Sequence, residues 1–189
     1  EGLWDEDDGF YYDQIHLPNG TYLPIKVRSL VGLSTLFAVC IVPKSVQEKV
    51  PDFMARKEWF KTYRKGMGKK PITFEKENGD MLMAMVPKQR LLRLLEAMLD
   101  EHEFLSPGGI RSLSRKHANQ DYELHVNDQH YSLRYEPGES STHMFGGNSN
   151  WRGPVWFPMN YMLIQSLYTY CHFFDGESKA EYPTGSGNW

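Results

Sequence analysis

The stretch PKQRLLRLLEAMLDEHEF, residues 87–104, carries the clearest structural signal in the chain. Its apolar side chains recur at intervals of three and four residues, at Leu91, Leu94, Leu95, Met98 and Leu99. This spacing places them on one face of an α-helix, with charged residues on the opposite face. Pro87 suits the first helical turn, and the turn-forming residues 106–109 end the element. The stretch therefore predicts an amphipathic helix over residues 87–104.

Three further segments have the character of helices. Residues 28–42 are apolar nearly all round, which favours a helix that is buried on most sides and ended by Pro43. Residues 51–65 and 154–174 each begin at a proline, and the second segment carries apolar side chains along one side. Long helices joined by polar loops predict an all-α scaffold whose loops gather at one end, where function tends to reside.

Two segments show the alternation that is typical of β-hairpins. In residues 14–27, the turn-forming sequence Pro18-Asn19-Gly20 stands between apolar residues. In residues 121–136, polar and apolar side chains alternate on both sides of the turn-forming residues 127–130. We therefore expect β-hairpins inserted among the helices.

Composition and charge limit the classes of partner. The 189 residues include 21 Lys and Arg against 24 Asp and Glu, which gives a formal net charge of -3. Nucleic-acid-binding domains usually carry a basic excess, so no nucleic-acid partner is expected. The most apolar run, residues 30–42, is too short to cross a bilayer, so no membrane partner is expected. Aromatic residues make up 14% of the chain and are numerous enough to line a site for flat, weakly polar ligands.

Cysteine and histidine positions argue against a metal or redox site. Cys40 and Cys171 are far apart and lie in apolar runs, so we expect two buried thiols, which weakly favour a reducing compartment such as the cytoplasm. None of the seven histidines pairs at i+4 with another histidine or a suitably placed glutamate on a helix, so no zinc site is predicted. The acidic residues 5–9, DEDDG, place glycine one residue too early for an EF-hand and indicate a solvated helix end.

The strongest local signal for function is the loop GGNSNWRGPVW, residues 146–156. Two indoles in a loop rich in glycine and asparagine are costly to expose unless they bind or pack against something. Indole faces stack on sugar rings, while arginine and asparagine hydrogen-bond the hydroxyls. The candidate substrate-binding residues are Asn150, Trp151, Arg152, Gly153 and Trp156. The alternative is that both tryptophans only anchor the loop to the core.

Two carboxylates, Glu136 and Glu139, stand shortly before this loop. Paired acids at a sugar site are typical of glycosidases. Because they are three residues apart around a turn, however, we expect them on one side of a substrate, as supporting or capping residues.

The run NSNWRGPVWFPMNY, residues 148–161, resembles the catalytic domain of glycoside hydrolase family 63, in particular its large bacterial glucosidases. Three other stretches support the resemblance and occur in the same order as in the family: LWDEDDGFYYD at 3–13, FLSPGGIRSLS at 104–114 and YPTGSG at 182–187. The resemblance implies an (α/α)6 barrel of two concentric helical layers. Residues 1–189 are then expected to be an incomplete segment of one such domain, a partial (α/α)6 barrel with an inserted β-hairpin.

The resemblance also implies an inverting α-glucosidase-like hydrolase that acts on glucosides or oligosaccharides and needs no organic cofactor. Inversion requires one carboxylic acid and one carboxylate on opposite faces of the sugar. In the family's order these two residues fall before Glu1 and after Trp189, so no catalytic residue is expected in this chain. The expected partners are a small glucoside or oligosaccharide and the remainder of the barrel domain.

Two alternatives remain open from the sequence. One is a stand-alone, non-catalytic carbohydrate-binding or scaffold domain. The other is a related helical-barrel hydrolase with another sugar preference, such as a trehalase-like or glycerate-glycoside enzyme.

Overall fold

A computed structural model describes residues 2–69, 73–126, 129–138, 140–142, 154–176 and 178–189. Its α-helices are Leu30–Leu33 (α1), Lys44–Gln47 (α2), Pro51–Gly66 (α3), Lys88–Met98 (α4) and Phe157–Phe174 (α5). Its strands are Trp4–Asp5 (β1), Phe10–Tyr11 (β2), Asp13–His16 (β3), Tyr22–Ile25 (β4), Val39–Val42 (β5), Thr73–Glu75 (β6), Met81–Ala84 (β7), Leu105–Ser106 (β8), Gly109–Ile110 (β9), Tyr122–Val126 (β10) and Gln129–Leu133 (β11).

The expected all-α fold, a partial (α/α)6 barrel with an inserted β-hairpin, is wrong. The described part of the chain is mixed α/β, with four two-stranded sheets and one three-stranded sheet of order β5-β7-β6. All strand pairs are antiparallel. These short strands separate the helices where the barrel would require long paired helices.

The clearest error concerns residues 28–42, which were expected to form one buried helix. The helix α1 ends at Leu33, a 3-10 turn follows over Ser34–Phe37, and β5 begins at Val39. In β5, Val39 pairs with Ala84 and Ile41 pairs with Leu82 of β7. Because β-branched side chains fit a pleated, half-buried surface, the available strand partner overrides the apolar helical pattern.

The other three predicted helices and both predicted hairpins are confirmed, with shifted ends. Both hairpins form, as β3–β4 and β10–β11. The helix predicted over 51–65 is α3, and the helix predicted over 154–174 is α5. The helix predicted over 87–104 is α4, which ends six residues early because Asp100 accepts backbone hydrogen bonds from Glu103 and Leu105 in a turn.

The core lies where β2, α1 and α4 meet. Phe10 and Phe104 are fully buried, and their rings stack with centroids 5.7 Å apart and an interplanar angle of 12°. Leu33 and Leu94 are fully buried in the same cluster. Burying an aromatic or leucine side chain contributes about 1.5–3 kcal/mol, so this cluster is the main source of stability.

The two long helices differ in burial. No residue of α3 is buried, whereas α5 packs one face on β5 and on the 3-10 turn over Ser34–Phe37. The opposite face of α5 exposes large apolar side chains at Phe157, Tyr161, Ile164 and Tyr168. Among the described residues, no helix is both long enough and apolar enough to cross a membrane.

The prediction of buried thiols is wrong. Cys40 and Cys171 are both exposed free cysteines. Cys40 lies on the outward side of β5, and Cys171 lies on a solvent-facing position of α5. An apolar sequence context does not decide which face of a strand or helix a residue occupies.

Candidate functional site

The linking loop, residues 109–114, joins two regions that the sequence motifs indicated as functional. At one end, Arg111 forms an isolated antiparallel bridge with Val155. The backbone N–H of Ser112 donates to the carbonyl of Pro154 at 3.3 Å. The loop therefore lies against the residues that lead into α5.

The side chain of Asn160 fixes this arrangement. Its Oδ1 accepts a hydrogen bond from the Ile110 N–H at 2.7 Å. Its Nδ2 donates to the carbonyl of Ile110 at 3.1 Å and to that of Trp156 at 3.0 Å. One amide thereby holds β9, the start of α5 and Trp156 in a fixed relation.

Trp156 is the one predicted binding residue within the described ranges. It immediately precedes α5 and is 38% exposed, which leaves part of the residue open to solvent. Asn150, Trp151, Arg152 and Gly153 lie outside the described residues. Glu139 also lies outside them, whereas Glu136 accepts a hydrogen bond from the Ser141 hydroxyl at 2.8 Å.

The buried guanidinium of Arg111 connects the linking loop to the segment that follows α4. Arg111 is 8% exposed, and its Nη1 donates to the carbonyls of Glu101 and Glu103 at 3.2 and 3.3 Å. Its Nε donates to the hydroxyl of Tyr135 at 3.2 Å. These bonds occupy Nε and Nη1 of Arg111, so the side chain helps to position the loop.

A polar cavity of about 290 Å³ lies at the other end of the linking loop. Three chain segments, 8–12, 26–28 and 116–122, contribute its walls. The lining residues are Asp8, Tyr12, Lys26, Arg28, Lys116, His117, Gln120, Asp121 and Tyr122. Polar groups combined with two tyrosine rings are typical of sites that bind hydroxylated molecules.

The acidic segment and Lys26 form one wall of the polar cavity. The ammonium of Lys26 lies 2.7 Å from Asp5 and 3.1 Å from Asp8. The hydrogen bond to Asp5 raises the pKa of Lys26 most, and the hydrogen bond to Asp8 raises it further. The carboxylate of Asp5 also accepts backbone hydrogen bonds from Asp7 and Asp8, which closes a turn between β1 and β2. The expected solvated helix end is therefore wrong, because these acids form a turn that faces a cation.

Tyr12 presents its hydroxyl in the same wall. This hydroxyl donates to Asp8 at 3.1 Å, and the residue is 6% exposed. Burial, reinforced by the negative charge of Asp8, raises the pKa of Tyr12 to about 12. The phenol therefore stays protonated and acts as a hydrogen-bond donor at neutral pH.

An ion pair of the buried Arg28 and the partly buried Glu103 forms the floor of the polar cavity. The guanidinium of Arg28 bonds to both carboxylate oxygens of Glu103 at 2.9 Å, and it also donates to the carbonyl of Asp8 at 2.8 Å. The Ser114 hydroxyl donates to Glu103 at 3.2 Å. Because the positive charge of Arg28 is balanced by Glu103, it adds little net charge to the cavity.

His117 completes the floor in a defined tautomer. Its Nε2 accepts the backbone N–H of Arg28 at 3.0 Å, and its Nδ1 lies 3.3 Å from the carbonyl of Gln120. The acceptor role of Nε2 assigns the proton to Nδ1. Burial lowers the pKa of His117, and the nearby charges of Arg28 and Lys116 lower it further. His117 is therefore a neutral structural imidazole at pH 7.

The linking loop connects this cavity to Trp156. The backbone N–H of Ser114 donates to the carbonyl of Arg28 at 2.9 Å, while Ser112 bonds to Pro154 at the opposite end of the loop. Three of the four motif stretches, 3–13, 104–114 and 148–161, thus contribute residues to the cavity, the linking loop and Trp156. The fourth is joined to α4 instead, where Thr184 bonds to the carbonyls of Glu96 and Leu99 at 2.9 and 3.0 Å.

The polar cavity could not be predicted from the sequence, because its residues come from three distant segments. Its floor joins Arg28 to Glu103 and His117, which lie 75 and 89 residues away in the chain. No local spacing encodes such a contact. The one available signal was the stretch at 3–13, of which Asp8 and Tyr12 line the cavity.

Comparisons with known proteins match a family model and curated relatives. A family model described as the mannosylglycerate hydrolase MGH1-like glycoside hydrolase domain matches residues 55–182. Uncharacterized protein YMR196W of Saccharomyces cerevisiae is 40% identical over 192 residues, which cover 100% of this chain and 18% of that protein. A probable mannosyl-oligosaccharide glucosidase of Schizosaccharomyces pombe is 34% identical over 90 residues, which cover 47% of this chain and 8% of that protein.

The chain thus spans less than a fifth of the length of either relative. No solved structure matches it. The resemblance to glycoside hydrolases of family 63 that the motifs indicated is confirmed by these matches.

Proposed function

Because the chain belongs to the family of MGH1-like glycoside hydrolase domains, we propose that it provides saccharide-binding residues of an inverting, α-glucosidase-like hydrolase. The substrate class is a small glucoside or an oligosaccharide. The chain is related to a probable mannosyl-oligosaccharide glucosidase, which supports a carbohydrate substrate.

The observation that carries the proposal is the linking loop. It bonds at one end to the backbone beside a half-exposed indole and at the other end to the floor of a polar cavity. An indole face suits the apolar side of a pyranose ring, and a cavity with balanced charge suits its hydroxyls. This combination favours an uncharged, hydroxyl-rich ligand.

The chain supplies binding groups and not the catalytic pair. An inverting enzyme needs a general acid and a general base whose carboxyl groups are about 6.5–9.5 Å apart across the scissile bond. The two acids of the polar cavity already face cations, since Asp8 lies beside Lys26 and Asp121 lies 2.9 Å from Arg134. We therefore assign both acids to substrate positioning, and we assign Asn150, Trp151, Arg152, Gly153 and Trp156 to the sugar subsites.

Hydrolysis by the full-length protein tests the proposal. The protein is incubated with a panel of α-glucosides and gluco-oligosaccharides, and the released sugar is followed by proton NMR before mutarotation. We expect β-glucose to appear first from an α-glucoside. Initial release of α-glucose would contradict inversion. Binding of a glucoside without cleavage would instead support a non-catalytic carbohydrate-binding domain.

A further inference from the structure

A cluster of three metal-ligating side chains lies on the hairpin β10–β11, apart from the proposed saccharide site. Its members are Glu123, His125 and His130. One ligand atom from each residue lies within 4.8 Å of the ligand atoms of the other two. In the part of the chain that the structure describes, it is the one group of three such residues that meets this distance.

The register of the hairpin explains why the three side chains converge. His125 pairs directly with His130, and Glu123 pairs with Ser132. Alternate residues of a strand point to the same face, so Glu123 and His125 share a face. His130 lies opposite His125 and diagonal to Glu123, within the reach of cross-strand side chains.

The side-chain geometry agrees with the register. The imidazole rings of His125 and His130 lie with centroids 4.5 Å apart at an interplanar angle of 24°. The Nε2 of His130 is 3.9 Å from a carboxylate oxygen of Glu123. All three residues are exposed, so an ion can reach them and their side chains can rotate.

We propose that Glu123, His125 and His130 bind a divalent transition-metal ion of the zinc type. Two imidazoles and one carboxylate are a ligand set that zinc accepts, and they leave a fourth position for water. Zn–N bonds of about 2.0–2.1 Å place tetrahedral ligand atoms roughly 3.3 Å apart. The ligand atoms now lie within 4.8 Å of one another, and small rotations of the exposed side chains bring them to the separation that zinc requires.

The chemistry of the ligands favours zinc, nickel or copper over calcium or magnesium. Hard cations such as calcium require six to eight oxygen ligands, whereas this cluster offers two nitrogens and one carboxylate. The sequence predicted no zinc site because none of its histidines pairs at i, i+4 with a second ligand on a helix. In this hairpin Glu123 and His125 are spaced i, i+2 along β10, and His130 pairs with His125 from the neighbouring strand β11.

A bound ion would join β10 to β11. The first residue of β10, Tyr122, lines the polar cavity, so the site would stabilise a strand that forms part of its wall. A ligand that binds only the folded state raises its stability by mass action. Zinc is therefore expected to raise the melting temperature of the protein.

The test is titration of the full chain with zinc chloride, followed by isothermal calorimetry, and with cobalt(II), followed by visible absorption. The variants are His125→Ala, His130→Ala and Glu123→Gln, with His16→Ala as the matched control. His16 also lies exposed on a hairpin strand, but it packs against the ring of Tyr22. Circular dichroism checks that each variant folds.

We expect one zinc ion per chain, and we expect each histidine variant to bind at least about tenfold more weakly, because each loses a direct ligand. His16→Ala should bind like the unaltered protein and should retain the zinc-dependent rise in melting temperature. Unchanged affinity in His125→Ala or His130→Ala, or no binding below millimolar zinc, would overturn the proposal. Loss of glucoside hydrolysis would not bear on it, since the readout is metal affinity.

Discussion

Asn160 and Ile110 form a reciprocal pair of hydrogen bonds across the interface between α5 and β9. The Ile110 N–H donates to Asn160 Oδ1 at 2.7 Å, and Asn160 Nδ2 donates back to the Ile110 carbonyl at 3.1 Å. Both backbone polar groups of Ile110 are thus bonded to one side-chain amide. The pair determines where the linking loop lies relative to Trp156.

We predict that Asn160→Ala lowers the free energy of unfolding by about 2 kcal/mol, because the backbone N–H and carbonyl of Ile110 lose this partner. Asn160→Asp keeps the acceptor but loses the donor, so it should also destabilise the protein. The control is Gln165→Ala on an exposed position of the same helix. Urea unfolding of the three variants checks this prediction. Equal stability of Asn160→Ala and Gln165→Ala would show that the pair is unimportant.

Trp156→Ala should lower kcat/KM for a glucoside in the full-length protein by at least about tenfold, which corresponds to a loss of about 1.4 kcal/mol of transition-state stabilisation. The reason is the lost stacking of the indole on the sugar ring. Trp59→Ala is the matched control, because Trp59 is 66% exposed on α3 and stacks on Tyr63. If both variants retain full activity, Trp156 is not part of a subsite.

The ion pair of the buried Arg28 with Glu103 should contribute strongly to stability. Glu103→Gln leaves the guanidinium without its counterion in a buried position, at an expected cost of about 3 kcal/mol. Asp121→Asn removes the exposed pair with Arg134 and should change stability little. Denaturant unfolding compares the two. A similar midpoint for both variants would contradict the assigned burial of Arg28.

Gly32 cannot carry a side chain. A Cβ at this position would lie 2.3 Å from a ring carbon of Phe10 and 2.5 Å from the carbonyl oxygen of Tyr11. Gly32→Ala should therefore lower the free energy of unfolding by at least about 1–3 kcal/mol. Gly66→Ala, at the open end of α3, should be neutral or stabilising by up to about 1 kcal/mol. Thermal melts distinguish the pair, and a tolerated Gly32→Ala would refute this packing.

His117 should make stability depend on pH. Its pKa is lowered in the folded state, chiefly by burial, so the unfolded state binds more protons as the pH falls below the ordinary value of 6.5. The stability contributed by neutral His117 is complete above that value and is lost as the pH falls through the folded-state pKa. His117→Gln should flatten the dependence between about pH 7 and 5, whereas His16→Gln should not. Unfolding curves measured across this range provide the check, and identical slopes would disprove the assignment.

The sequence by itself determined the local elements and the family. The leucine spacing before Met98 fixed α4, the Pro18-Asn19-Gly20 turn fixed one hairpin, and the motif at 148–161 indicated a glycoside hydrolase. These signals are local because helix periodicity and turn chemistry depend on near neighbours.

Tertiary structure alone decided the fold class and the residues of the polar cavity. Residues 39–42 became a strand because β7 was available to pair with them, although their apolar pattern suits a helix equally well. Arg28, Glu103 and His117 meet because distant segments pack together. The convergence of His125 and His130 likewise depends on strand register. Such contacts depend on which segments fold against one another, and that information is not present in the spacing of residues along the chain.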